Sequence, residues 1–178
     1  FNNSQSYVIY TKVNDLSNWG IFFANCENAG SHLEFSNTSK YFKYNVYDTE
    51  YKYITSPNNS INTEDYFTII GTYDGTNMKL YVNGQLVGIN TASSMKTSSE
   101  PMIIGANPNS NATSFNAFTN MSMKEALLYD RALTQEEVSQ ITNNFNQKYE
   151  GVKTKKLQAP TYEETDDDKV TIYYPEGC

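Results

Sequence analysis

The sequence predicts an all-β fold: an antiparallel β-sandwich of two sheets with one short C-terminal α-helix. Its clearest support is the stretch Tyr66 to Ile89, YFTIIGTYDGTNMKLYVNGQLVGI. Phe67, Ile69 and Tyr73 alternate with Thr68, Ile70 and Thr72, the period of two that sends successive side chains to opposite sheet faces. Asp74 to Asn77 breaks the run, and Met78 to Val82 alternates again. Asn83-Gly84 then supplies the two positive-φ positions of a type I′ hairpin turn. Gln85 to Ile89 returns antiparallel, setting Val82 opposite Gln85 and Leu80 opposite Val87, so the stretch is a three-strand meander. The second observation is compositional: aromatic residues are 14% of 178, with 15 Tyr and 9 Phe, against 19% charged. Strands accept aromatic side chains readily, because these fit a pleated, half-buried surface. The third is that helical patterning is confined to one segment near the end of the chain.

Taken in order, Phe1 to Gln5 is an Asn/Ser-rich entry loop and Ser6 to Val13 a strand. Asn14 to Asn18 is a polar turn that leads to Trp19, and Gly20 to Asn25 is a short buried strand. His32 to Ser36 forms another, and Tyr41 to Tyr53 (YFKYNVYDTEYKY) one or two more. Ser56 to Asp65 is dense in turn formers. After the meander come a loop over Thr91 to Pro101, a short strand over Met102 to Gly105, and an Asn/Ser loop over Ala106 to Asn116. Phe118 to Tyr129 contains a return strand with Ala126, Leu127 and Leu128 buried. Thr134 and Glu137 stand at capping-box spacing, the hydroxyl accepting from the first turn and the carboxylate reaching back to the cap amide. Val138, Ile141 and Phe145 follow on one helical stripe.

The meander string G-T-Y-D-G-T-x-x-K-L-Y-V-N-G-x-L-V-G resembles the signature of laminin-G-like domains in the concanavalin A-like lectin/glucanase superfamily. Ser6 to Val13, Met102 to Pro108 and Met121 to Val138 resemble further pieces of that family in the same order. The resemblance covers roughly residues 6 to 149 and implies a jelly-roll sandwich. It also implies an additional opening strand, expected before Phe1, without which a sheet edge is incomplete. It is specific for the fold and nearly silent on the ligand.

The domain therefore spans residues 1–150. Residues 151–178 change character: Lys153 to Lys156 is basic, Pro160 to Asp168 is acidic like a linker, and Lys169 to Tyr174 alternates as the first strand of a following β-module or as a tail. Phe1 is not an initiator Met, so the sequence reads as a piece of a larger multidomain chain. The formal net charge of −7 makes nucleic acid a poor partner, and no apolar run reaches the ~20 residues of a membrane span. Of the two cysteines, Cys26 reads as a small buried hydrophobe and Cys178 ends the chain. His32 is the sole histidine, which excludes zinc spacing and leaves it as a polar loop residue.

Glycoside hydrolases of the superfamily use paired acids in an E-x-D-x-x-E string, as facing carboxylates must sit about 5 Å apart. That string is missing here, so the reading is not an enzyme. Sugar binding needs aromatic faces to stack on a pyranose, with amides and hydroxyls for its oxygens. Trp19, placed after a polar turn, is a natural platform, and Tyr44, Tyr47, Tyr51 and Tyr53 are the further candidates. On an uninterrupted strand Tyr47, Tyr51 and Tyr53 share one parity and Tyr44 the other. The resemblance also implies Ca²⁺ at a loop rim, where six to eight oxygens are wanted. Asp15, Asp48 and Glu50 could donate, but no defined loop motif demands a cofactor. The expectation is thus a non-catalytic module of an extracellular or cell-surface protein that binds carbohydrate or mediates adhesion. The alternative is a structural, protein-binding domain of a virion or cell-surface assembly.

Overall fold

In the computed structural model the described residues are 4–25 and 28–149, together with the backbone of 161–165 and 169–173. Cys26 and Cys178 lie outside them, as does Tyr174. The strands are β1 (Gln5–Val13), β2 (Gly20–Ala24), β3 (Ser31–Phe35), β4 (Phe42–Tyr47), β5 (Tyr51–Thr55), β6 (Phe67–Tyr73), β7 (Asn77–Val82), β8 (Gln85–Thr91), β9 (Ile103–Ile104), β10 (Asn107–Pro108), β11 (Phe115–Asn116) and β12 (Met121–Tyr129). The helix α1 spans Gln135–Lys148, and β13 (Thr161–Thr165) and β14 (Lys169–Tyr173) pair as a hairpin. The strand expected at Lys169 is β14, and its partner comes from the acidic stretch read as linker.

Two five-stranded antiparallel sheets make the sandwich: sheet I in the order β12-β1-β6-β7-β8 and sheet II in the order β5-β4-β3-β2-β9. The strand β1 is flanked on both sides, by β12 and β6, and the return strand β12 forms one edge of sheet I. The alternating apolar positions of both sheets meet in one core that includes Tyr7, Ile9, Phe22, Phe23, Leu33, Phe42, Tyr44, Phe67, Ile69 and Leu80. Phe22 and Phe23 are neighbours in sequence yet both enter it. A register shift between Ile21 and Phe23 makes this possible, since a bulge gives one strand an extra residue and breaks the alternation.

The Asn83-Gly84 turn has φ of 51° and 83°, the left-handed pair that a type I′ hairpin needs. Val82 pairs with Gln85 as the spacing predicts, but Leu80 faces Gly88 rather than Val87, because a bulge between Leu80 and Tyr81 adds one residue. Gly88 leaves room there for Ile54 of the opposite sheet. Leu128 is also not buried: β12 is an edge strand, and its residues are half-buried or exposed, Leu128 among the exposed. The helix behaves as its pattern dictates. The Thr134 hydroxyl accepts from the Glu137 amide (3.2 Å), and the Glu137 carboxylate accepts from the Thr134 amide (2.9 Å). Val138 and Phe145 then bury against Val8, Tyr10, Ile70 and Tyr81 on the outer face of sheet I. With that face covered by α1, the outer face of sheet II is the broad sheet surface left for function.

Candidate functional site

The outer face of sheet II is built by simple parity. In β4, Phe42, Tyr44 and Val46 enter the core, so Lys43, Asn45 and Tyr47 point the other way. Cross-strand register then composes two rows: Ile21, Glu34, Lys43 and Thr55, and Ala24, His32, Asn45 and Tyr53. Tyr47 pairs with Tyr51 just beyond, their rings edge to face at 4.9 Å.

A cleft of about 320 Å³ lies over these rows. Its floor is His32, Glu34, Lys43 and Asn45, one wall is Tyr51 and Tyr53, and the other side holds Ile21, Trp19 and Asn107. Trp19 is 45% exposed and Tyr53 55%, which leaves aromatic surface open to a ligand at the mouth. The turn before Trp19 is fixed by Asp15, whose carboxylate accepts from the Ser17 amide and hydroxyl, both at 2.8 Å. Asn37 ties the same turn to β3's end by donating to the Ser17 carbonyl. On the far side, Thr119 donates to the Ile21 carbonyl (2.6 Å), and the Ile21 amide donates to the Ala117 carbonyl. The loop that carries Asn107 is thereby pinned over β2.

The floor is polar and mostly enclosed. The Glu34 carboxylate takes Lys43 Nζ on one oxygen (3.0 Å) and His32 Nε2 on the other (3.3 Å). Burial pushes the Glu34 carboxyl up, but the hydrogen bond and charge of His32 and the charge of Lys43 outweigh it, and the group sits below the ordinary carboxylate range. Lys43 also lies over the Tyr53 ring, 4.9 Å from its centre. Beside this trio stands Asn45. It is 1% exposed, and neither its Nδ2 nor its Oδ1 has a hydrogen-bond partner in the protein; His32 Nδ1 is likewise buried and unpartnered. A buried amide left unpaired costs about 1–3 kcal/mol, so such groups are rare in folded proteins.

The sequence-predicted residues divide sharply. Trp19, Tyr51 and Tyr53 line the cleft, and Tyr47 packs on Tyr51 beside it. Tyr44 does not belong there: it is fully buried between the sheets, edge-on to Tyr7, because its parity is that of the core. Its burial pushes the phenol well above its ordinary pKa, and it offers nothing to a ligand on the surface. The carboxylates expected for calcium are not brought together. Asp15 serves the Ser17 turn, Asp48 accepts from Ser93 and Ser94 across the loop after β8, and Glu50 pairs with Lys52 at 2.6 Å. Among the described residues no three His, Cys, Asp or Glu side chains are grouped to hold a metal.

His32, Glu34, Lys43 and Asn45 were missed, and Asn107 was read only as part of an Asn-rich loop. The strings SHLEF and FKYNVY alternate cleanly, so the outward parity of the first four was readable. His32 is not a loop residue but sits in β3, 8% exposed.

A family model described as the concanavalin A-like lectin/glucanases superfamily matches residues 2–139. No curated protein matches the chain. Among solved structures, a native heptameric SAP-like pentraxin from Limulus polyphemus is similar at 17% identity and a TM-score of 0.63, over 79% of this chain and 70% of that one. The CBM40 of Ruminococcus gnavus IT-sialidase, bound to α2,3-sialyllactose, is similar at 14% identity and 0.64, over 78% and 82%. The receptor binding domain of botulinum neurotoxin mosaic serotype C/D is similar at 17% identity and 0.59; the match covers 79% of this chain but only 36% of that domain. At such identities the likeness is one of fold. The family match covers well over half of the chain, and the chain belongs to the concanavalin A-like lectin/glucanases superfamily.

Proposed function

We propose that this domain is a non-catalytic carbohydrate-binding module of an extracellular or cell-surface protein, and that the cleft on the outer face of sheet II is its sugar site. The observation that carries this reading is the cleft itself: a polar floor of His32, Glu34, Lys43 and Asn45 with the exposed rings of Trp19 and Tyr53 at its mouth. A pyranose suits such a cleft, with hydroxyls for its polar side and an apolar C–H face for Trp19 or Tyr53. The similar sandwich that holds sialyllactose, and the similar receptor-binding domains, support binding as the role of such a fold. Catalysis is disfavoured by the cleft itself. Among the described residues its lining contains one carboxylate, Glu34, already engaged by Lys43 and His32, whereas glycoside hydrolysis uses two.

A glycan-array screen of the folded domain, run in calcium and again in EDTA, tests the reading. Specific hits that survive EDTA and are lost in Trp19→Ala and Tyr53→Ala are the expected result. A blank from folded protein refutes it. The second reading, an assembly domain that contacts protein neighbours, is favoured by Phe118 and Phe115, which are 69% and 42% exposed.

A further inference from the structure

The two most exposed rings of the cleft stand too far apart to grip one sugar. Trp19 directly precedes β2 and Tyr53 lies in β5, at opposite sides of the neighbouring strands β5-β4-β3-β2. Across the strands, three strand spacings put their backbones about 14 Å apart. Along the strands the offset is similar. The row of Ile21, Glu34, Lys43 and Thr55 lies two residues from the row of Tyr53, and Trp19 lies two residues beyond Ile21, which together make about 13 Å. Trp19 and Tyr53 therefore mark the two ends of a diagonal over the cleft. Side chains stand roughly upright from a sheet, so the rings keep most of that separation.

Lys43 stands between them. Its ammonium lies 4.9 Å from the centre of the Tyr53 ring and 3.0 Å from the Glu34 carboxylate, which holds it in the row between Tyr53 and Trp19. A pyranose seated on Trp19 thus meets Lys43 before it meets Tyr53, and no single sugar ring is sandwiched by both. Tyr53 is nonetheless 55% exposed and keeps open surface for a second unit. The ammonium has three N–H donors and Glu34 engages it from one side, so the residue that divides the cleft can also donate to an oxygen of a ligand that crosses it.

We propose that the cleft takes an extended saccharide of at least two linked pyranoses, laid diagonally over sheet II, with one unit stacked on Trp19, another against Tyr53 and the chain crossing Lys43 between them. This rests on the carbohydrate-binding reading of the same cleft and adds to it the size and direction of the ligand. A monosaccharide fills one end and leaves the other ring empty. Each ring contributes about as much as one partner of an aromatic pair with the area it buries, a step of about tenfold in affinity.

The test is an array that prints glucose, galactose, mannose and N-acetylglucosamine as linear series of one to four units. The free members of the best-bound series are then titrated into wild type, Trp19→Ala and Tyr53→Ala. Both side chains are exposed, and a cooperative melt checks that each variant is folded. In wild type, affinity should rise at least about tenfold between one unit and three and then level off. Each variant should lose that rise and bind the trisaccharide about as weakly as a monosaccharide. The wild-type series needs no variant: equal affinity for its monosaccharide and trisaccharide would overturn the extended mode and leave the sugar site standing. A length dependence that survives in either folded variant would place the added units off this diagonal and overturn the proposal as well. A blank array from folded protein would overturn both readings together.

Discussion

Replacing Asn45 by Leu should make the domain more stable and abolish its binding. The side chain is 1% exposed on the floor of the cleft, between His32 of β3 and Tyr53 of β5 in register, and both of its polar atoms lack partners. Leu has nearly the same shape and no polar group to desolvate. An unpaired buried amide is worth about 1–3 kcal/mol of lost stability. The expected gain is therefore about 1–2 kcal/mol, which for a domain of this size raises Tm by roughly 3–6 °C. Urea unfolding read by far-UV circular dichroism measures it, with an unchanged slope as the control that the unfolded ensemble is the same. The same sample is then titrated with the strongest glycan hit. A loss of stability above about 1 kcal/mol would mean that the amide is satisfied by the fold itself, and the reasoning that assigns it to a ligand would fail. Higher stability with binding intact would keep the energetics and remove Asn45 from the site.

Two further outcomes test the scaffold. A Cβ at Gly71 would lie 2.6 Å and 2.7 Å from the Tyr44 ring atoms Cδ2 and Cγ, and that ring is fully buried and braced by Tyr7. Gly71→Ala should therefore destabilise by about 1–3 kcal/mol in urea melts, the range for overpacking a tight core. At the helix start, the hydrogen bonds from Arg131 and the Thr134 amide hold the Glu137 carboxyl at about 2, against 4.5 ordinarily. A carboxyl lowered in the folded state stabilises above its unfolded pKa, and that contribution fades as pH falls from about 4.5 through 2. Melts of Glu137→Gln across that window should show a shallower acid slope than wild type, with the two curves parallel above it.

Much of this architecture was legible in the sequence, for identifiable reasons. The meander could be read because its turn is chemically explicit, Asn83-Gly84, and its strands largely follow a period of two. The capping box did the same for α1. What misled was geometry that one residue can change: the bulge at Leu80 and Tyr81 moved Leu80 from Val87 to Gly88, and edge position left Leu128 exposed. The candidate cleft was half legible. Aromatic rings advertise themselves, so Trp19, Tyr51 and Tyr53 were named, but Tyr44 was named with them because residue type outweighed parity. The polar floor escaped because an Asn, a His, a Glu and a Lys carry no motif. They come together only when the pairing of β3 with β4 and of β4 with β5 lays them side by side.

The central claim is that ligand enters the cleft on sheet II rather than the helix-covered face of sheet I. Backbone and side-chain chemical-shift mapping of the ¹⁵N-labelled domain, titrated with its strongest array hit, tests it most directly. The largest perturbations should fall on the Asn45 side-chain amide, the Trp19 indole, and the backbone of His32 and Tyr53. Perturbations concentrated instead around α1 and the outer residues of β7 and β8 would place the ligand on the other sheet and contradict the account.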